Sequence, residues 1–310
     1  MDTELLKKGP VMSRETFSRF GGLWIDRMDC DAELARRTVA GTFPEEVSRL
    51  IQSFMRDGFV VIKSAVSKDL TVAIKSELEQ HWRSSPPGAM IEHWTPQGEQ
   101  IFVPPALQYR DGPTKLLDFH AFSETARQAI AAPKVVAFLS AIFDAKPKAF
   151  QSLTFWRGSQ QAIHKDTAYV QVDGAPMKLA ASWLALEDIH AGTGELEYYV
   201  GSHRAPDFLF AGEHKWLEAA PHEHDRFLAS HHEDAAKYGF KRSSFLASEG
   251  DVLIWHADLA HGGSVITESN TRQSLVTHFT PEKENPPYAL KGPINRMEVG
   301  GCQFISVARQ

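Results

Sequence analysis

AFQSLTFWRGSQQAIHKDTAYVQVDGAPMKLAASWLALEDI, residues 149–189, decides how this chain is read. It opens and closes on short runs rich in β-branched and aromatic residues, AFQSLTFWRG (149–158) and KLAASWLALEDI (178–189), with TAYVQVD (167–173) between them. Ala181, Trp183 and Ala185 alternate with Ser182, Leu184 and Leu186, which is the period of a strand. Like runs follow at GELEYYVG (194–201), GDVLIWHA (250–257) and TRQSLVTHFTP (271–281). The last sets Leu275, Thr277 and Phe279 against Val276 and His278. Glycine or aspartate stands at the ends of these runs, as turns require.

Upstream the period is helical. PEEVSRLIQSFMRDGF (44–59) puts Val47, Leu50, Ile51 and Phe54 at helical spacing and stops at Asp57-Gly58. FVVIKSAV (59–66) predicts a short strand. KDLTVAIKSELEQHW (68–82) repeats the helical pattern through Leu70, Ile74 and Leu78, and SETARQAIAAPKVVAFLSAIF (123–143) does so with a break near Pro133. Residues 1–45 predict an irregular arm with short helices. The Pro- and Gly-rich stretch from 84 to 110 predicts a long structured loop. Residues 205–247 are polar, histidine-rich and partly helical, and predict an insertion over one mouth of the strand assembly. Helices first and many short strands after predict a mainly β chain with flanking α-helices, one antiparallel sandwich or jelly roll. The chain then divides within one domain, 1–310, into a mostly helical 1–147, a core at 148–281 and a C-terminal extension at 282–310.

Composition sets limits. The 310 residues carry a formal net charge of −6, the opposite of a nucleic-acid binder's basic excess. The only cysteines, Cys30 and Cys302, exclude a disulfide framework and a cysteine-rich zinc site. Two cysteines, no apolar leader at the N-terminus and no apolar run of membrane-spanning length make the expectation a cytoplasmic protein away from membranes. A small-molecule substrate is the expected partner, and no oligomeric state follows.

Fourteen histidines invite a search for metal ligands. His164-Lys165-Asp166 puts two ligand types on one face of an extended segment, because side chains repeat every second residue. His261, 95 positions after Asp166, leaves enough chain for other strands to bring it back to the same mouth. Two imidazoles and one carboxylate on one face of an octahedral metal form the facial triad of non-haem iron(II) oxygenases. His256-Ala257-Asp258 repeats the spacing, and His256 reads as a strand-end residue after Ile254 and Trp255. His222, His224, His231 and His232 lie among acidic residues and read as a solvated surface cluster. Arg272, eleven residues after His261, offers a permanent, bidentate charge for the distal carboxylate of an anionic co-substrate.

RDGFVVIKSAVS (56–67), QQAIHKDTAYV (160–170), GELEYYVGSHR (194–204), SEGDVLIWHADLAHGGS (248–264) and TRQSLVTHFTP together resemble the phytanoyl-CoA dioxygenase family. The resemblance spans most of 46–281. It implies a double-stranded β-helix (jelly-roll, cupin-like) core and iron(II) at His164, Asp166 and His261. It also implies 2-oxoglutarate at Arg272, dioxygen as oxidant, release of succinate and CO2, and hydroxylation of an unactivated C–H bond, with desaturation, epimerisation or cyclisation as alternative outcomes on the same fold. It matches Trp183 to a co-substrate pocket wall, and it suggests polar contacts to the co-substrate from Ser264, Thr154 and Gln151. The presence of Asp166 disfavours a halogenase of the same fold. A zinc hydrolase lacks a supporting HExxH pattern, and a sensor protein that had lost turnover would be expected to lack a ligand or the arginine. GSHR (201–204) reads as a turn into the insertion, with His203 off the metal. Expected substrate walls are Trp94, Phe102 and Tyr109 in the loop, and Phe208, Phe210, Trp216 and Phe240 in the insertion.

Overall fold

The structure, a computed structural model, describes residues 16–307. Its elements, in chain order, begin with helices α1 (Cys30–Val39) and α2 (Glu45–Asp57), strand β1 (Phe59–Ile62) and helix α3 (Lys68–Ser84). Strands β2 (Met90–Trp94) and β3 (Gln100–Val103) come next, then the short helix α4 (Leu107–Arg110) and β4 (Thr114–Leu117). Helices α5 (Glu124–Ile130) and α6 (Pro133–Phe143) lead into β5 (Pro147–Phe155), β6 (Ala180–Ala185) and β7 (Leu196–Tyr199). After these come helix α7 (His224–Tyr238) and strands β8 (Arg242–Phe245), β9 (Val252–His256), β10 (His261–Gly263) and β11 (Ser274–Pro281). The chain closes on β12 (Ile294–Val299) and β13 (Cys302–Val307).

The large sheet runs β1-β9-β6-β11-β5-β4-β2-β3, and a small sheet runs β10-β7-β8. The pairings along both are antiparallel. Together they form the jelly roll that the strand series predicts. Strand period does the sorting. Trp183, Leu253, Trp255 and Val276 face inward and pack with Tyr198 and Phe245 of the small sheet. Leu184, Ile254, Leu275 and Phe279 face outward and pack under α2, α3, α5 and α6 with Phe54, Ile74 and Phe138. A sheet covered on both faces explains why β6, β9 and β11 are buried at every position. Each large apolar side chain so buried contributes about 1.5–3 kcal/mol.

Helix ends follow local chemistry. Gly58 stops α2 in the left-handed conformation (φ 82°). Pro133 starts α6, and the axis turns by 57° from α5. No single helix among the described residues is long and apolar enough to cross a membrane.

Four expectations are corrected. The 84–110 stretch is not a loop: β2 and β3 form a hairpin that extends the large sheet through β4. Alternation there is masked because one face of the hairpin lies at a cleft and is half-exposed. TAYVQVD is not a strand; Asp166–Ala168 is a 3-10 turn and no ladder follows. The 205–247 insertion ends in β8, which completes the small sheet. The 282–310 extension supplies β13, which pairs in parallel with β5 at Gln303–Lys148 and Phe304–Ala149. Of the N-terminal arm, residues 1–15 lie outside the described residues; beyond them stand a 3-10 turn and α1.

Candidate metal centre

His164 and His261 meet through their backbones. Each donates its amide to the other's carbonyl, at 2.8 and 2.9 Å, an isolated antiparallel bridge that sets the two rings 4.6 Å apart. The close approach needs the glycines of HGG: a Cβ at Gly262 would lie 2.6 Å from the Gln161 carbonyl oxygen. Asp166 enters on the 3-10 turn that begins there. The ligating atoms of His164, Asp166 and His261 all lie within 4.8 Å of one another, and all three residues are buried.

The orientation of each group suits a cation. His164 Nδ1 lies 2.8 Å from the Ala162 carbonyl oxygen and His261 Nδ1 2.9 Å from that of Leu259. Because a carbonyl only accepts, both Nδ1 atoms carry the proton and both Nε2 atoms present lone pairs. Those Nε2 atoms lie 3.7 and 3.6 Å from Asp166 Oδ1. The other carboxylate oxygen, Oδ2, accepts from Trp255 Nε1 at 2.7 Å. Burial lowers the His261 imidazole to about 4, against the opposing pull of Asp166, so it is neutral near pH 7. Burial works to raise the Asp166 carboxyl, and the indole N–H that Trp255 donates to Oδ2 favours its charged form.

Arg272 lines a smaller chamber beside the triad, together with Trp183, Leu196 and Val276. Its guanidinium is stacked between the rings of Trp183 (5.4 Å) and Phe155 (5.5 Å). Its polar partner is the Ser274 hydroxyl at 3.3 Å, while Nε has none. Among the described residues no carboxylate forms an ion pair with it. Burial lowers it to about 10, partly offset by Glu195 and Glu187, and it stays charged at neutral pH. A buried cation of this kind is costly until an anion joins it.

A family model for phytanoyl-CoA dioxygenase (PhyH) matches residues 54–274. The chain belongs to this family. Its fold is that of SnoN, a non-heme alpha-ketoglutarate-dependent epimerase of nogalamycin biosynthesis, at 15% identity and a TM-score of 0.59 over 78% of this chain and 85% of that one. The carbocyclase SnoK from the same biosynthesis matches at 15% and 0.56 over 80% and 87%. EctD from S. alaskensis, solved with bound Fe, matches at 17% and 0.56 over 75% and 76%. No curated protein matches the chain.

This family member places the other sequence-predicted residues as follows. Trp183 lines the arginine chamber with its indole Nε1 unpartnered. Gln151 lines a larger cleft of about 730 Å³ that opens on His164 and Asp166. Thr154 alternates to the opposite face of β5 from Leu153 and Phe155, and its hydroxyl donates to the Leu116 carbonyl at 3.4 Å. Ser264 donates to Glu195 at 2.7 Å instead of facing the chamber. His256 ends β9 and pairs with Asp26 at 2.9 Å, while His203 lies against the Met55 carbonyl, 5.2 Å from the His256 ring and away from the triad.

The histidines of the insertion are not all a surface cluster. His231 is buried against Phe227, and His224 lines the large cleft with its Nε2 2.6 Å from the Tyr169 hydroxyl. Trp94 and Phe102 line the cleft as expected, whereas Tyr109 packs on His93. Phe208 and Phe210 form the insertion's own core with Phe227, and Leu217, His224 and Leu228 supply its cleft wall. Two side chains at the site were not singled out from the sequence. His278 shares the inward face with Val276, so strand period carried a signal for it. Trp255 carried none, because its contact to Asp166 spans 89 positions.

Proposed function

We propose that this chain is an iron(II)- and 2-oxoglutarate-dependent dioxygenase that oxidises an unactivated C–H bond of a small-molecule metabolite. One observation carries the reading. A buried His-Asp-His cluster with converging lone pairs stands beside a chamber that ends in a buried arginine without a carboxylate partner. Family membership and neighbours solved with Fe and with alpha-ketoglutarate support it. The donor set fits iron(II): two neutral imidazoles and one carboxylate leave three coordination positions for other ligands.

Bound there, iron would bring dioxygen, the oxidant, together with 2-oxoglutarate as two-electron co-reductant, so that succinate and CO2 are released and one oxygen atom is left to oxidise the substrate. The chain's own residues do the rest. His164 and His261 keep their Nε2 lone pairs free because their Nδ1 protons are held by backbone carbonyls. Trp255 holds the second oxygen of Asp166 away from the metal side. Arg272, fixed by two aromatic faces, receives a carboxylate as a bidentate fork. Trp183, Leu196 and Val276 give the chamber apolar walls, which lower the local dielectric and strengthen the charge pairing inside it.

The test is anaerobic visible absorption of metal-stripped protein titrated with iron(II) and then 2-oxoglutarate. A weak, broad charge-transfer band is expected in the parent, absent in Asp166→Ala and weakened in Arg272→Ala. A folded parent that binds iron yet gives no band would overturn the oxygenase reading in favour of a binding protein.

A further inference from the structure

The large cleft has a wall whose charges cancel. Beyond the triad and the histidines, the charged side chains lining it are Glu92 and Lys115. They stand opposite each other on β2 and β4 and pair at 2.9 Å. Arg272 lines the adjoining chamber and not this cleft. Away from the metal, a carboxylate, sulfonate or phosphate entering the cleft would give up water and meet no free cationic side chain. The rest of the wall is largely apolar and aromatic: Leu117, Leu153, Phe155 and Val170 inside, with the exposed Trp94 and Phe102 at the hairpin. The volume, about 730 Å³, lies within the roughly 300–1,000 Å³ of small-molecule sites.

Two polar side chains favour a ligand that carries a polar group. His278 is 3% exposed, and neither of its ring nitrogens has a hydrogen-bond partner. Its nearest carboxylate oxygen is Asp166 Oδ2, 3.5 Å from Nε2, beyond ordinary hydrogen-bond length. Gln151, the register partner of His278 on β5, likewise has an unpartnered Oε1. Both line the cleft. Buried polar atoms are nearly always satisfied, and each one left open costs about 1–3 kcal/mol.

We propose that the cleft takes an uncharged, mainly apolar, ring-bearing small molecule with a carbonyl or hydroxyl group. His278, with Gln151 beside it, binds that group and so sets which C–H bond faces the metal. This rests on the cleft being the substrate site of the oxygenase proposed above. It makes an acyl-CoA, with its phosphates, a poor fit.

The test uses two fluorescent probes on the full chain that share one skeleton: neutral N-phenyl-1-naphthylamine and its sulfonated analogue 8-anilinonaphthalene-1-sulfonate. The neutral probe should bind with a Kd about tenfold lower, a difference of about 1.4 kcal/mol, and palmitoyl-CoA should not displace it. Glu92→Gln, which leaves Lys115 unpaired, should narrow the gap by tightening the sulfonate. Equal affinities in the parent, displacement by palmitoyl-CoA, or a gap indifferent to Glu92→Gln would overturn the substrate class. For the anchor, 1-naphthyl phenyl ketone should displace the neutral probe at several-fold lower concentration than 1-benzylnaphthalene, which has a CH2 in place of the carbonyl. The two should become equal in His278→Leu, with its circular dichroism unchanged. Equality already in the parent would sink the role of His278. The iron–2-oxoglutarate band reads the oxygenase proposal separately, so its loss and a failure of the probes are distinguishable.

Discussion

One carboxylate oxygen of Asp166 faces the His164 and His261 imidazoles, while the Trp255 indole holds the other at 2.7 Å. Groups that orient a ligand from behind commonly contribute 10–100-fold to metal affinity. Trp255→Phe keeps the packed ring and removes the N–H. Affinity for iron(II) or nickel(II), measured by anaerobic equilibrium dialysis, is expected to fall by about that factor while the fold is retained. Unchanged affinity would mean that the backbone of the 3-10 turn alone orients Asp166.

At the scale of elements, the insertion is tied to the metal loop by buried charge. Lys215, 4% exposed, pairs with Asp207 at 2.7 Å and closely with Asp258, whose other oxygen accepts from the Thr167 hydroxyl at 2.7 Å. Lys215→Met would leave Asp258 buried with Lys165 3.9 Å away as its remaining cation. Removing one partner of such a pair costs about 3–5 kcal/mol, with Lys165 keeping the loss toward the lower end. Urea unfolding checks it, and a loss under about 1 kcal/mol would show that the network is not desolvated.

Helix α7 adds a pH dependence of its own. Burial, helped by Lys165 and His164, lowers His231 from 6.5 to about 3. A base that the folded state will not protonate adds no penalty above pH 6.5. As pH falls from 6.5 toward 3 the unfolded chain gains a proton that the native one refuses, and stability drops by up to about 1.4 kcal/mol per pH unit. His231→Leu should therefore show a shallower acid loss of stability between pH 6 and 4. Parallel slopes in the two proteins would rule this origin out.

Across the whole molecule, the C-terminal residues complete the main sheet. Phe304 is fully buried under α5 and α6, and β13 adds to β5 in parallel. Lys148, 1% exposed, donates to the Glu284 carbonyl at 2.6 Å, so the segment after β11 also satisfies a buried ammonium group. Phe304→Ala, 155 positions from its register partner Ala149 in sequence, should cost about 3–5 kcal/mol with the iron site intact in the folded fraction. A chemical denaturation curve decides it, and a midpoint equal to the parent's would place β13 outside the cooperative unit.

Local chemistry determined strands β5, β6, β7, β9 and β11, the helices at 45–57 and 68–84, and the ligand types at His164, Asp166 and His261. Period-2 and period-3.6 patterns are properties of neighbouring residues, and a His-x-Asp pair is legible because its members are two apart. The family resemblance rested on the same local motifs. Tertiary structure alone decided what depends on residues far apart: the backbone bridge between His164 and His261, the indole on Asp166, and the buried state of His231. It also turned 84–110 into a hairpin and drew the last strand into the main sheet, because pairing partners for those backbones lie in strands distant in sequence. The pattern around Arg272 supplied a charge of the right kind. Only the fold could bury that charge between two aromatic rings and leave it without a carboxylate.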